Sequence, residues 1–270
     1  MSFFATKEKP LQIVGVINAY CAILAQKAGF QALYLSGAGV SNASYGIPDI
    51  GLTSLEQVLI DVERITKITT LPLLVDADTG FEDIGQTVKC IEVAGAAGLH
   101  LEDQISAKRC GQLDGKSLVS TNEMIERVRT AVAAREHKDF MIMARTDAIS
   151  VEGLEAAILR AKAYQDAGAD AIFVEAATDL NDYRLFADAL DIPILANITE
   201  FGKTPLYTVE ELKKSQVDMI LYPLSAFRAM NYAAQNVYDT IKHQGTQREC
   251  LERMQTREQL YRNLNYDVKK

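Results

Sequence analysis

Eight short apolar runs recur along the chain, and segments with helical spacing separate them. Such alternation of strands and helices predicts right-handed crossovers and a parallel sheet. Eight units within 270 residues favour an α/β fold that closes into a (β/α)8 barrel, so we expect one barrel domain over residues 1–270. The predicted strands are 11–17, 32–37, 71–78, 98–103, 140–147, 171–176, 192–199 and 219–225.

The composition excludes several classes of protein. A net charge of −8, without a long Lys/Arg cluster, argues against nucleic acid or an anionic membrane surface as a partner. No run of about 18 apolar residues occurs, and the first residues lack the pattern of a signal peptide. Four widely spaced cysteines form no CxxC pair, which indicates neither a zinc site nor a disulfide framework. We therefore expect a cytoplasmic protein.

Almost every apolar run ends in polar residues. In a parallel barrel these ends meet at one mouth, where barrel enzymes place their chemistry. A single polar strand end is often only solvated, but eight in register favour an active site. The polar ends are Asn18, Ser36 and Gly37, Asp76 and Asp78, Glu102 and Asp103, Arg145 and Asp147, Glu175, Asn197 and Thr199, and Ser225.

Two carboxylates in the segment VDADTG indicate a metal site. Asp76 and Asp78 share one strand face because side chains alternate along a strand. The three histidines of the chain supply a transition-metal site poorly, whereas Asp76, Asp78 and Glu102 with water suit Mg2+. In the alternative, the carboxylates only cap the strand and pair with Arg145.

Three arginines are candidates for binding a substrate carboxylate through two nitrogens: Arg145 at a strand end, Arg228 in SAFRAM and Arg257 in MQTREQ. The position of Arg257 is equally typical of a surface helix. His100 shares a strand face with Glu102, one layer deeper. We expect His100 to orient that carboxylate or to fill the barrel.

Cys110 differs from the other cysteines in its sequence context. It follows Lys108 and Arg109 and precedes Gly111, in a loop between a predicted strand and the next helix. Adjacent cations lower the pKa of a thiol, and a glycine allows a loop to close over a site. A single cysteine in a loop is more often inert. Cys110, however, lies between EDQ and a loop predicted to lie above the carboxylates, and this position favours a catalytic thiol.

Specific motifs cover nearly the whole chain: LQIVGVINAY, LYLSGAGV, LLVDAD, GLHLEDQ, AKRCG, MARTDA, ANITEFGKTPL, LYPLSAFRAMN and MQTR. In these motifs the chain resembles the 2-methylisocitrate lyases of the isocitrate lyase/phosphoenolpyruvate mutase superfamily. The resemblance implies a barrel with Mg2+ or Mn2+ and a small tricarboxylate substrate. It further implies reversible cleavage of 2-methylisocitrate to pyruvate and succinate, in the methylcitrate route of propionate breakdown.

The resemblance also implies roles for individual residues. It places the metal on Asp76 and Asp78, with Glu102 joining through water, and makes Cys110 the acid that protonates the succinate fragment. Tyr34 is a candidate partner for the substrate hydroxyl proton. The implied substrate contacts are Ser36, Gly37, Ala38 and Arg145 at the keto-acid end, Gly111, Glu175, Asn197, Ile198, Thr199 and Arg228 at the succinate end, and Arg257 near the same pocket.

Two expectations concern specificity and assembly. Phe173, Leu221 and Pro223 lie on strand faces that point into the mouth, and they match positions that make room for the extra methyl group of 2-methylisocitrate. Residues 246–264 have helical spacing beyond the eighth unit, and the resemblance suggests exchange of C-terminal helices within a homotetramer. We expect residues 246–270 to pack on a neighbouring subunit.

The chain departs from the resemblance at Gln112, where KRCGQ replaces KRCGH, and in FEDIGQTV, which is shorter than usual. Glutamine carries no charge, so stabilising a thiolate would fall to Lys108, Arg109 and the metal. Alternative functions are a phosphonopyruvate or oxaloacetate enzyme, against which Cys110 counts, and an isocitrate or dimethylmalate lyase. A catalytically weakened barrel that binds a metabolite is a third alternative, which Gln112 and the shorter loop permit.

Overall fold

The computed structural model describes residues 3–5, 8–106, 111–112 and 115–267. Cys110 therefore lies outside the described residues, as do Lys108 and Arg109. The chain divides into two compact units, Met1–Leu224 and Ser225–Lys270. Within the described ranges, no helix is long and apolar enough to cross a membrane.

Eight parallel strands of the first unit form a closed barrel in chain order. Each predicted run contains one of these strands, which confirms the (β/α)8 fold. The strands are shorter than the runs because the polar residues that end most runs leave the ladder for the loops. The strands are β1 Leu11–Gly15, β2 Ala32–Leu35, β3 Leu73–Asp76, β4 Gly98–Glu102, β5 Met141–Thr146, β6 Ala171–Val174, β7 Ile194–Asn197 and β8 Met219–Tyr222.

The helices of the first unit begin and end at residues suited to caps. Ser54 and Ser120 each accept a hydrogen bond from a backbone N–H in the first turn of the helix that follows. Gly29 and Gly168 follow helix ends with φ of +97° and +104°, a region that glycine adopts without strain. The helices are α1 Ala19–Lys27, α2 Gly37–Gly39, α3 Leu55–Thr66, α4 Ile84–Val93, α5 Thr121–Ala134, α6 Ile149–Glu152, α7 Leu154–Asp166, α8 Leu180–Ala189 and α9 Val209–Lys214.

The strands are buried on both faces, which explains their continuous apolar sequences. Alternate residues such as Leu33, Val75 and Ile172 face the helices and belong to the outer apolar cluster. The remaining strand residues fill the barrel. This inner cluster includes Leu11, Ile13, Ala32, Tyr34, Leu74, Met141, Met143, Ala171, Phe173, Leu195, Met219 and Leu221.

The inner faces of several strands continue into polar residues at the carboxyl ends. Glu102 lies beside Arg145 across β4 and β5, and Asn197 lies beside Leu221 across β7 and β8. Because the barrel is closed and parallel, these ends meet at one mouth. The predicted convergence of strand-end polar groups is therefore confirmed.

The second unit is helical, and the C-terminal helix predicted over 246–264 is interrupted. Met254 has an extended backbone with ψ of 145°, and the Thr256 side chain caps the helix that follows. The break separates a 3-10 helix from a short α-helix. The elements are α10 Ser225–Gln244, the 3-10 helix Arg248–Arg253 and α11 Arg257–Asn263.

Candidate active site at the barrel mouth

The carboxylates of Asp76, the last residue of β3, and of Asp78, in the turn that follows, both lie close to Gly37. A Cβ atom on Gly37 would lie 3.2 Å from Oδ2 of Asp76 and 3.3 Å from Oδ1 of Asp78. The Gly37 N–H donates to Oδ2 of Asp76 at 3.0 Å, and the Asp78 N–H donates to Oδ1 of Asp76 at 3.1 Å. Asp78 has a φ of +50°, a left-handed conformation that Asp tolerates. This turn brings both carboxylates to one side of Gly37.

This pair of carboxylates fits a hard divalent cation. Asp76 and Asp78 are both buried, and two buried carboxylates repel each other unless a positive charge lies near. Among the residues that the structure describes, no group of three or more His, Cys, Asp or Glu side chains forms a metal cage. Mg2+ matches so sparse a set because it keeps several waters and binds through one or two carboxylates.

Tyr34 and His100 support Asp76 from inside the barrel. The Tyr34 hydroxyl donates to Oδ2 of Asp76 at 3.2 Å and lies 2.9 Å from Nε2 of His100. His100 is fully buried, so it fills the barrel as predicted, and its Nε2 lies 3.5 Å from Oδ1 of Asp76. Burial first, and then Asp76, raise the pKa of Tyr34 well above its usual value. The Tyr34 phenol therefore remains protonated and acts as a hydrogen-bond donor.

Arg145 lies near the carboxyl end of β5, and two carboxylates hold its side chain. Its Nε and Nη2 donate to Asp147 at 2.9 Å and 3.2 Å, and its Nη1 lies 3.2 Å from Oε2 of Glu102. The guanidinium carbon lies 5.3 Å from the centroid of the Phe173 ring. Burial disfavours the charge of Arg145, but Asp147 and Glu102 outweigh that effect and raise its pKa well above the usual value. Arg145 is therefore a fixed cation at the mouth.

Glu175, Asn197 and Gln112 form one hydrogen-bonded group. Nδ2 of Asn197 donates to Oε2 of Glu175 at 3.0 Å, and Nε2 of Gln112 donates to Oε1 of the same carboxylate. Oε1 of Gln112 accepts from the backbone N–H of Lys203 at 2.8 Å. Burial raises the pKa of Glu175, although Arg145 opposes this shift. The Gln112 amide thus connects the carboxyl end of β6 to the loop after β7.

Gly111 occupies a space that only glycine fits. A Cβ atom here would lie 2.1 Å from Nη2 of Arg145 and 2.7 Å from both Cγ and Oε1 of Glu175. The Gly111 carbonyl accepts from Nζ of Lys116 at 2.5 Å. The structure therefore brings Gly111 and Glu175, which the resemblance assigns to the succinate end, into contact with Arg145, which it assigns to the keto-acid end.

The predicted substrate-binding segments after β2 and β7 lie at the same mouth. Residues 36–38 follow β2 directly, with Ser36 and Gly37 buried. Residues 197–199 are all buried, and Oδ1 of Asn197 has no hydrogen-bond partner among the described residues. Buried acceptors without a partner are uncommon and costly, so a ligand that donates a hydrogen bond would stabilise this oxygen.

The other predicted site residues lie in different parts of the chain. Phe173 and Leu221 are buried in the inner cluster, at the levels of Arg145 and Asn197, and Pro223 is buried just after β8. Arg228 and Arg257 are exposed residues of the second unit, and Cys110 is outside the described residues. The substrate contacts of Arg228 and Arg257 and the acid role of Cys110 stay predictions.

Sequence reasoning missed Lys116 and the backbone of Lys203, and it noted Asp147 only as a polar strand end. A lysine in a polar loop has no pattern that distinguishes a buried position from an exposed one. The Lys203 contact uses a backbone N–H, which every residue except proline has. Neither contact therefore has a sequence signal.

The chain is similar to known proteins over most of its length. A family model described as phosphoenolpyruvate phosphomutase matches residues 2–242. The chain is 58% identical over 265 residues to 2-methylisocitrate lyase from Escherichia coli (strain K12), which covers 97% of this chain and 90% of that protein. The chain belongs to the phosphoenolpyruvate phosphomutase family.

Two solved structures show the same barrel as this member of the phosphoenolpyruvate phosphomutase family. One is 2,3-dimethylmalate lyase, with a TM-score of 0.88 and 33% identity, covering 94% of this chain and 86% of that one. The other is phosphonopyruvate hydrolase in complex with oxalate and Mg2+, with a TM-score of 0.81 and 28% identity, covering 94% and 90%. A structural neighbour of this chain thus binds Mg2+.

Proposed function

We propose that the chain is a carbon–carbon lyase that cleaves 2-methylisocitrate to pyruvate and succinate. The observation that carries this proposal is the pair Asp76 and Asp78, converging at Gly37 in the same mouth as the fixed cation Arg145. A pair of carboxylates can hold a metal ion that coordinates an oxygen of an oxo-acid, and a guanidinium can bind the carboxylate of the same oxo-acid. The 58% identity to the Escherichia coli lyase supports the choice of substrate.

Mg2+, with Mn2+ as the other possibility, is the proposed cofactor. Asp76 and Asp78 would hold it, with Glu102 joining through water. When bound, the cation stabilises the negative charge that develops on the substrate oxygen, which lowers the barrier by something on the order of several kcal/mol. The Mg2+ in the phosphonopyruvate hydrolase structure supports this assignment.

The two ends of the substrate are proposed to bind different parts of the mouth. The keto-acid end would contact residues 36–38 and Arg145, whose guanidinium is already oriented by Asp147 and Glu102. The succinate end would contact Gly111, Glu175, Asn197, Ile198, Thr199 and Arg228, with Arg257 near the same pocket.

Cleavage requires one proton to leave and another to arrive. As the carbon–carbon bond breaks, the substrate hydroxyl loses its proton and becomes the carbonyl of pyruvate, and the electron pair stays on the succinate carbon. Cys110 is the proposed acid that protonates this carbon. Tyr34 is the candidate partner for the hydroxyl proton: its phenol would accept that proton while passing its own to Nε2 of His100, which lies 2.9 Å away.

We place the enzyme in the methylcitrate route of propionate breakdown, in the cytoplasm, as a homotetramer that exchanges C-terminal helices. The three cysteines within the described residues, Cys21, Cys90 and Cys250, are free thiols, which suits a reducing compartment. In α10 no residue is buried, and Tyr232 and Tyr238 are each 71% exposed. Large exposed aromatic side chains support a protein partner for this helix.

The test measures, with a coupled assay, the release of pyruvate from 2-methylisocitrate in the presence and absence of Mg2+. We expect pyruvate and succinate in equal amounts, and only with the cation. Isocitrate and 2,3-dimethylmalate run in parallel, with isocitrate cleavage followed as succinate because it releases glyoxylate instead of pyruvate. The similarity to 2,3-dimethylmalate lyase makes that activity the second candidate. Faster cleavage of either compound would replace the proposed substrate. An absence of cleavage of all three would favour a metabolite-binding barrel.

A further inference from the structure

Lys116 is a buried lysine in the segment between β4 and α5. Its side chain is 1% exposed, and its Nζ donates to the Gly111 carbonyl at 2.5 Å and to Oδ1 of Asp147 at 2.8 Å. Lysine is almost never fully buried unless it is paired, because removing an ammonium group from water is costly. The burial of Lys116 therefore depends on these two acceptors.

Both acceptors of Lys116 contact Arg145. Asp147 accepts from Nε and Nη2 of Arg145, and Gly111 lies so close that a Cβ atom would be 2.1 Å from Nη2. Burial raises the pKa of Asp147, but the charges of Arg145 and Lys116 outweigh that effect and lower it. One ammonium group thus links the carboxylate that orients Arg145 to the backbone that packs against it.

The base of the segment is held by contacts that do not involve Lys116. Gln104 pairs with Leu118 in an antiparallel bridge, and the Val119 N–H donates to the Asp103 carbonyl at 2.9 Å. Nη1 of Arg127 donates to the carbonyl of Gln104 at 2.9 Å. Removing the Lys116 ammonium should therefore leave the base in place and act on Gly111.

We propose that Lys116 is a positioning residue that holds Gly111 against Arg145 and fixes Asp147 behind the guanidinium. The activity part of this inference rests on the proposed lyase function. The structural part does not, because it concerns contacts within the chain.

The structural part is tested by amide hydrogen exchange in Lys116→Met, a substitution of similar length without the ammonium. If Lys116 holds Gly111 and hence Gln112, the Lys203 N–H loses its acceptor Gln112 in the variant and exchanges faster. The Val119 N–H, at the base, should exchange at the wild-type rate. Lys89→Met changes an exposed lysine of α4 and serves as the matched control. An unchanged Lys203 rate would overturn the proposal even if the lyase function stands.

The activity part is tested by kinetics of the same variants with 2-methylisocitrate. We expect Lys116→Met to lose roughly 10²-fold in kcat, since a misplacement of about 1 Å can cost that much, with a smaller change in KM. Lys116→Arg, which keeps a charged donor, should recover part of the loss. A merely structural role would lower the melting temperature while leaving kcat of the folded enzyme unchanged, and that result would overturn the inference. Should Lys116→Met fail to fold, Lys116→Gln supports the same comparison, because its shorter, neutral side chain cannot reach both acceptors of the Lys116 ammonium.

Discussion

The side-chain amide of Gln112 donates a hydrogen bond to the buried carboxylate of Glu175, 63 residues further along the chain. The other end of the same amide accepts from the Lys203 N–H at 2.8 Å. An amide performs both roles at every pH, because it does not titrate in the physiological range. The contribution of Gln112 to this link across the mouth is therefore independent of pH.

Replacing Gln112 by histidine should add a pH dependence that glutamine cannot supply. An imidazole beside Glu175 should titrate above the ordinary histidine value of about 6.5, because the carboxylate favours the charged form. Below that pKa the charged ring can donate to Glu175 but cannot accept from Lys203; the ring can make both contacts only above it. The measurement is the pH–rate profile of Gln112→His against wild type. Identical profiles would show that position 112 does not tune the chemistry.

Removal of divalent cations should abolish turnover. Asp76 and Asp78 converge at Gly37, and a cation is the group that best balances two buried carboxylates there. We expect excess EDTA to stop pyruvate release and Mg2+ or Mn2+ to restore it. Asp76→Asn should lose both activity and calorimetric Mg2+ binding, whereas Asp139→Asn, the same change at an exposed loop position, should lose neither. Full turnover in EDTA would refute the metal assignment.

Substituting Cys110 by serine should separate chemistry from binding. A hydroxyl has a much higher pKa than a thiol and cannot exchange the proton near neutral pH. Cys110→Ser should therefore lose most of kcat while binding pyruvate and metal nearly as wild type. Cys90→Ser, at a half-buried position in α4, is the control and should keep full activity. Comparable kcat in Cys110→Ser and wild type would remove Cys110 from the mechanism.

Substrate preference should favour 2-methylisocitrate over isocitrate by at least about tenfold in kcat/KM, because one methyl group in an apolar pocket contributes roughly 1–3 kcal/mol. The resemblance assigns Leu221, which is buried inside the barrel, to the space for the methyl group, so Leu221→Trp should narrow the ratio by filling that space. Met219→Trp, two residues deeper on the same inner face, controls for overpacking and should leave the ratio unchanged. Equal use of isocitrate by the wild type would change the substrate assignment but not the reaction class.

Assembly should be tetrameric at micromolar concentration. The exposed aromatic residues of α10 need a partner surface, and deletion of residues 246–270 should weaken a tetramer that forms by exchange of C-terminal helices. Light scattering of both forms measures this. A monomeric full-length chain would contradict the prediction.

The barrel and the general position of its site follow from local patterns. Strands buried on both faces must be apolar throughout, so β1 to β8 are visible as runs, and parallel closure brings their polar ends to one mouth. Strand periodicity also predicted that Asp76 and Asp78 lie together, but β3 ends at Asp76, and the left-handed turn at Asp78 brings the two carboxylates together. The break at Met254 was missed because helical spacing continues through it, although Thr256 and Gln259 form a capping box that marks the start of a new helix.

The sequence by itself determined the eightfold alternation, the family, and the residue types at the mouth. Only the tertiary structure decided which of those groups contact each other. Gln112 meets Glu175 and Lys203 across separations of 63 and 91 residues, and Lys116 meets Asp147 across 31. Contacts of this kind depend on how the closed barrel arranges its loops, and no local periodicity encodes that arrangement. Burial of Lys116, and the pKa shifts of Tyr34 and Glu175, arise from the same packing and are therefore properties of the folded chain.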